Sequence, residues 1–186
     1  MKDNPILTAG VIIWDRETGH IVEQQSVQEP SGFPYIPGLL SFREIPVLSH
    51  AIEQLQRTPD AFLVDGHGIA HPRRLGIAAH LGLLVDVPTV GVAKSVLVGT
   101  FAEPALAAGS RSPMMHKGEQ IGVALRLRDN VKPVLVSPGN RIDMASAVEL
   151  VLACARGYKW PQPTRLAHNF VNEVRRGEEK NQETLF

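Results

Sequence analysis

The chain has 186 residues, enough for one domain with a substantial core, and no sequence feature divides it into more than the single domain 1–186. Hydrophobic residues make up 44% and charged residues 20%, a balance typical of a folded globular protein. Nineteen basic and nineteen acidic residues give no net charge, which neither requires nor excludes a nucleic-acid partner. The one cysteine, Cys154, excludes an internal disulfide, and no apolar run is long enough to span a bilayer. We therefore expect a soluble, cytoplasmic protein with no membrane partner, and a monomer.

The first third of the chain predicts two strands and a helix. A buried strand is predicted over Ile6–Trp14, and the turn sequence DRETG separates it from a second predicted strand, His20–Gln28. A proline-rich loop, Ser31–Gly38, precedes a helix over Leu39–Leu55, in which Pro46 should mark a kink or the first turn.

The rest of the chain alternates strands and helices. The predicted strands are Asp60–Asp65, Pro88–Val92, Gln120–Arg128 and Pro133–Val136, and the predicted helices cover residues 71–85, 143–156 and 163–176. Residues 99–118 are expected to form loops, and the tail 177–186 is expected to be frayed. This order predicts an α/β three-layer domain with a mixed sheet, and it suits a ribonuclease H-like sheet.

Two carboxylates are the strongest candidates for chemistry. Asp65 ends the apolar run FLVD and is followed by Gly66-His67-Gly68, a position where α/β sheets place their sites, although it could instead cap the next helix. Glu44, in SFREIP, would by itself be a solvated helix residue. If the two converge, their oxygens are ligands that Mg²⁺ prefers. We expect their carboxyl groups to lie about 4–7 Å apart, close enough to share one ion and its waters.

The basic residues are less specific. His67 and His71 have the spacing of two zinc ligands on a helix, but Pro72 disfavours helical geometry at His71, which is more plausible as a loop proton donor or phosphate contact. Arg73 and Arg74 either hold phosphates or form a solvated turn. Two further candidates depend on their neighbours: Lys94 follows the strand PTVGV, and His168 lies on a polar helix.

The loop FPYIPG carries the most suggestive aromatic residue. Pro34 and Pro37 enclose Tyr35 and Ile36, so a ring is held on a stiff loop. Rigid apolar groups of this kind are inserted into base stacks, although a plug against the core is the competing interpretation. As a wedge, Tyr35 should be substantially exposed.

Together, these segments resemble the endonuclease V family. The stretches FPYIPGLLSFRE, VDGHGIAHPRRLGIAAHLGLLVDVPTVGVAKS, KGEQIG, VSPGNRID and PTRLAH occur in the order and spacing of that family, over residues 6–176. The resemblance implies a ribonuclease H-like fold and a metal-dependent hydrolase that cuts DNA, or RNA in some members, near deaminated bases.

The resemblance also implies roles for single residues. Tyr35 would separate the strands while the lesion is flipped into a pocket similar to one formed by Gly38, Leu40, Gly66 and Leu97. Glu44 and Asp65 would bind Mg²⁺, or Mn²⁺ in its place. His71, Lys94 and His168 match catalytic-site residues. Cleavage would fall at the second phosphodiester 3′ to deoxyinosine, leaving 3′-hydroxyl and 5′-phosphate ends.

One feature of the family has no counterpart in this sequence. Family members begin with a strand that carries an aspartate, in an AGVD-like segment, well before the counterpart of Ile6–Trp14. Asp3 and Asp15 do not match that aspartate. We therefore expect an N-terminally incomplete domain that lacks the first strand, is less stable than an extended version and cuts inosine-containing DNA poorly. The alternatives are a catalytically impaired inosine-binding module and an inosine-specific ribonuclease.

Overall fold

The computed structural model describes residues 6–34, 36 and 38–177. Its elements are β1 (Ile6–Trp14), β2 (Ile21–Pro30), α1 (Leu40–Glu53), β3 (Phe62–Asp65), α2 (Ile77–Leu81), β4 (Thr89–Ala93), β5 (Arg111–His116), β6 (Glu119–Leu125), β7 (Val134–Asn140), α3 (Met144–Ala153) and α4 (Gln162–Arg175). No helix in these ranges is long and apolar enough to cross a membrane. Except for Gly177, the tail expected to fray lies outside the described residues.

The two N-terminal strands form a hairpin, as the sequence predicts. β1 and β2 pair antiparallel, with Ile6 opposite Pro30 and Trp14 opposite Ile21. In the turn between them, the carboxylate of Asp15 accepts hydrogen bonds from backbone N–H groups two and three residues further on, at 2.7 and 3.0 Å. Aspartate favours turns because it makes such local bonds, and here they fix the connection.

A five-stranded mixed sheet carries the rest of the domain, in the order β3-β4-β7-β6-β5. β3 and β4 are parallel, and the other pairs are antiparallel. Successive residues of β3 pack on opposite faces: Leu63 contacts the cluster that contains α3, and Val64 belongs to the cluster formed with α1 and α2. The sheet therefore lies between two helical layers, and the predicted α/β three-layer fold with a mixed sheet is confirmed.

Three predicted elements differ in the structure. The helix predicted over residues 71–85 is reduced to α2, because Pro72 disfavours helical geometry before it and Arg74 has a left-handed backbone (φ 57°). The expected loop region contains β5, where Pro113 lies on an edge strand that tolerates proline. β7 runs beyond Val136 to Asn140, and an irregularity in its pairing with β4 accommodates the turn-like sequence SPGN.

A gap separates the hairpin from the five-stranded sheet. Among the described strands, β1 pairs only with β2, and β3 pairs only with β4. A cavity of about 370 Å³ lies between β1 and β3 and is closed by α1 and α4. A second cavity, of about 660 Å³, is lined by the end of β1 and the start of β3.

Candidate functional site

The first wall of the site is the carboxyl end of β3. Asp65 is the last residue of that strand, and its side chain is exposed. The glycines after it permit a close approach, since a Cβ at Gly68 would overlap the Pro138 carbonyl and one at Gly91 would overlap the backbone of Gly68. The segment that follows Asp65 therefore folds tightly over β4 and β7 and leaves the carboxylate free at the edge.

Glu44 on α1 lines the same cavity as Asp65. Burial raises the pKa of Glu44 above its usual range, and the charge of Asp65 adds to this rise, whereas Arg43 and Arg175 oppose it. A carboxylate that is both desolvated and close to a second carboxylate favours a cation beside it. The two predicted metal-binding residues thus share one cavity, while their expected separation stays a prediction.

The helix α4 closes this cavity with His168 and Arg175. His168 gave no signal by itself, and it lines the same cavity as Glu44 and Asp65. Its role in the site stays a prediction. Arg175 was not among the site residues predicted from the sequence. The seven-residue spacing from His168 places both on one helical face, and this spacing is the signal that could have identified Arg175. Its positive charge partly balances that of Glu44.

The cavity also contains an unsatisfied polar atom. The hydroxyl of Thr164 on α4 lines the cavity, is buried and has no hydrogen-bond partner among the described residues. In the part of the chain that the structure describes, no group of three or more His, Cys, Asp or Glu side chains could hold a metal ion. Among the described residues, Glu44 and Asp65 are the two carboxylates that line this cavity.

Glu44→Gln is expected to raise the melting temperature at neutral pH. Because the folded-state pKa of Glu44 is raised, the stability from this group is present below its unfolded-state pKa and is lost as pH rises through the folded-state value. Glutamine stays uncharged, so the difference in melting temperature should be largest at neutral pH and vanish in acid.

Thermal unfolding of both proteins between about pH 4 and about pH 8 measures this difference. Glu53→Gln, exposed near the end of the same helix, is the control. A difference in melting temperature that does not change with pH would contradict the assignment.

The loop after β3 holds His71 between two arginines. His71 is buried, and its Nδ1 accepts a hydrogen bond from the backbone N–H of Arg73 at 3.2 Å. Burial, followed by the charge of Arg73, lowers the pKa of His71, which favours the neutral ring. Because Nδ1 accepts the N–H of Arg73, the proton of the neutral ring is on Nε2. His67 and His71 both lie outside helices, so the arrangement of two zinc ligands on one helix face is wrong.

The two arginines have different partners. Arg73 donates to the carbonyl of Gly38 at 3.1 Å, which connects this loop to the predicted base pocket. Arg74 forms an ion pair with Glu119 at 2.7 Å and donates to the carbonyl of His71 at 3.0 Å. Arg74 is thus paired with a carboxylate of the protein, whereas the exposed Arg73 bonds a neutral carbonyl.

The remaining predicted site residues that the structure describes do not line the cavity of Glu44 and Asp65. Lys94 is exposed immediately after β4. Leu40 and Leu97 are half-exposed, and Gly66 packs so closely on Ile77 that a side chain there would overlap it. The pocket of Gly38, Leu40, Gly66 and Leu97 stays a prediction. Tyr35 lies outside the described residues.

Comparisons with known proteins place the chain in a family and agree with its fold. A family model described as Endonuclease V matches residues 1–169. The chain is 53% identical over 172 residues to an endonuclease V from Gloeobacter violaceus, covering 92% of this chain and 70% of that protein. It is similar to the crystal structure of an endonuclease V from Bacillus subtilis, with a TM-score of 0.91 and 32% identity over 98% of this chain and 78% of that one.

A more distant likeness concerns the fold alone. It is to an endonuclease V from Ciona intestinalis in complex with a 24mer DNA containing an inosine followed by a ribo-adenosine. The TM-score is 0.76 and the identity 22%, covering 94% of this chain and 88% of that one. With the family model matching most of its length, the chain belongs to the endonuclease V family.

Proposed function

We propose that this protein is a DNA repair endonuclease that cuts the second phosphodiester 3′ to deoxyinosine and related deaminated bases. The observation that carries the proposal is the shared cavity of Glu44, Asp65 and His168, in a chain that belongs to the endonuclease V family. The products would be 3′-hydroxyl and 5′-phosphate ends, and the protein would act in the cytoplasm as a monomer with a ribonuclease H-like fold.

Glu44 and Asp65 would hold the divalent cation, Mg²⁺ or Mn²⁺. The residues present fit such an ion in donor type, since both are carboxylates on one cavity and Glu44 is destabilised as an anion there. When bound, the ion would supply charge neutralisation at the scissile phosphate and a water of lowered pKa.

The other residues would bind and orient the DNA. Lys94 would place its ammonium group against the scissile phosphate, as an exposed cation after β4. The neutral ring of His71, with its proton on Nε2, would donate to a phosphate oxygen or the leaving group. Arg73, which donates to the Gly38 carbonyl, would hold the base pocket at a fixed position relative to the loop that carries His71.

Product mapping tests the proposal most simply. A duplex with one deoxyinosine and a labelled 5′ end should give a single product that ends one nucleotide beyond the lesion, only when Mg²⁺ or Mn²⁺ is present. A matched RNA with inosine at the same position tests the ribonuclease alternative, because the 2′-hydroxyl contacts decide this preference. Cleavage at other phosphodiesters, or without inosine, would reject the proposal.

A second candidate is an inosine-binding module with impaired catalysis. The gap between β1 and β3 and the incomplete set of metal ligands among the described residues favour it. Such a module would keep the wedge and the pocket, so it would bind inosine-containing duplexes without cutting them.

Tyr35→Ala is expected to weaken binding to inosine-containing duplex more than to the same single strand. Opening a base step costs a few kcal/mol, and only the duplex requires it. Fluorescence anisotropy with both DNAs measures the two losses, and Phe33→Ala on the same loop is the control. Equal losses on the two DNAs would show that Tyr35 is not a wedge.

A further inference from the structure

The backbone around His67 is held firmly on the sheet. The N–H of Gly66 donates to the carbonyl of Val92 at 3.0 Å, and the N–H of Gly68 donates to the hydroxyl of Ser137 at 2.8 Å. Both bonds end on strands of the five-stranded sheet, β4 and β7. His67 thus projects from a fixed position two residues after Asp65.

The imidazole of His67 is bonded at one nitrogen only. Its Nε2 lies 3.0 Å from the carbonyl oxygen of Ser95. A carbonyl only accepts hydrogen bonds, so the proton is on Nε2. The other nitrogen, Nδ1, is buried and has no partner among the described residues. The ring therefore makes a single directed contact, to the segment after β4.

That contact is the main restraint on the segment 95–98. Among the described residues, no other hydrogen bond reaches these four positions. Val98 packs against the cluster of Ala93 and Met114, whereas Val96 and Leu97 are about half-exposed. Without His67, the packing of Val98 and the attachment of the segment to its two ends would be the restraints left among the described residues.

We propose that His67 is a positioning residue, which holds the segment 95–98 at a fixed distance from Asp65. This segment contains Leu97 and begins directly after Lys94. The inference rests on the proposed function for the roles of Lys94 and Leu97, but not for the contact itself. A mobile segment would let the phosphate-facing ammonium and the pocket wall move independently of the carboxylates, and small displacements of positioned groups are costly in catalysis.

Two amide variants of His67 distinguish the hydrogen bond to Ser95 from the packing of the side chain. In His67→Gln, the side-chain N–H reaches about as far as Nε2 and can still donate to Ser95. In His67→Asn, the N–H lies near the position of Nδ1 and cannot. Limited digestion with trypsin at the Lys94–Ser95 bond reports how often the segment opens, and the Arg57–Thr58 bond in an exposed loop is the internal reference.

We expect cleavage after Lys94 to be about five-fold faster in His67→Asn and unchanged in His67→Gln, as for the loss of one typical hydrogen bond. Cleavage after Arg57 should be the same in all three proteins. Equal rates for the two variants after Lys94, or a parallel rise after Arg57, would overturn the proposal.

The unaltered protein provides a test that does not depend on the folding of a variant. The imidazole nitrogen resonances of His67 should show a proton on Nε2 and none on Nδ1, and the opposite tautomer would overturn the proposal. Selectivity for inosine-containing duplex is measured on the same variants. A looser segment with unchanged selectivity would leave the positioning role intact and reject the pocket role of Leu97.

Discussion

Asp65→Asn is expected to lower the rate of cleavage at deoxyinosine on the order of 100-fold. A neutral amide cannot balance the charge of a divalent cation, so transition-state stabilisation of several kcal/mol that depends on this cation is weakened. Each loss of about 1.4 kcal/mol lowers the cleavage rate about tenfold. The side chain is exposed at the end of β3, so the melting temperature should change little. Binding to inosine-containing DNA should persist, because the predicted wedge and pocket residues are unchanged.

Single-turnover cleavage with excess protein measures this loss. Asp60→Asn is the matched control, since Asp60 is an exposed carboxylate just before the same strand. It should cut at the rate of the unaltered chain. A normal rate in Asp65→Asn, or an equal loss in Asp60→Asn, would remove Asp65 from the site.

Adding an AGVD-type strand before β1 is expected to raise both the melting temperature and the cleavage rate of this chain. The strand would pair with β1 and β3, which lack partners on their facing edges among the described residues, and would fill the 370 Å³ cavity between them. Each buried apolar side chain contributes about 1.5–3 kcal/mol, and ordering each residue costs about 1–2 kcal/mol. With ladder hydrogen bonds on two edges, we expect a net gain that raises the melting temperature by about 5–10 °C.

Replacing the aspartate of the added strand distinguishes its effect on the cleavage rate from the effect of the strand on the melting temperature. It would give the cation a third carboxylate beside Glu44 and Asp65, and we expect cleavage to rise about tenfold or more. A strand that carries asparagine at that position should restore stability without the gain in rate. A Gly/Ser extension of equal length should do neither. Full activity in the 186-residue chain would mean that another residue supplies the third carboxylate.

The sequence predicted best the elements whose pattern is local. The hairpin β1–β2 follows from the apolar run before DRETG and the strand signal after it, and β3 follows from FLVD, because strand patterns and turn residues act within a few positions. β5 was not predicted, since RSPMMH contains a proline and forms a strand only through its pairing with β6. Such tertiary pairing leaves little trace in the segment itself.

In the site, too, residues with a local sequence pattern could be predicted, and residues placed by tertiary contacts could not. Asp65 could be identified from its position after an apolar strand, and Glu44 only as its partner. Arg175 could not be assigned, because it reaches Glu44 across a cavity between elements that are more than one hundred residues apart in sequence. The contact from His67 to Ser95 likewise depends on how the segment after β3 folds over β4. The closely packed glycines Gly66, Gly68 and Gly91 permit this fold.

We propose that the cavity of Glu44, Asp65 and His168 cuts nucleic acid beside deaminated bases, so cleavage should depend on both the inosine and the metal ion. The most direct measurement compares two duplexes that differ only in inosine or adenine at one position, each incubated with Mg²⁺ and with a chelator. We predict cleavage of the inosine duplex alone, only with Mg²⁺, slow in this chain and faster in the version with the added strand. Equal cleavage of both duplexes, or no cleavage of the inosine duplex by either version, would contradict the account.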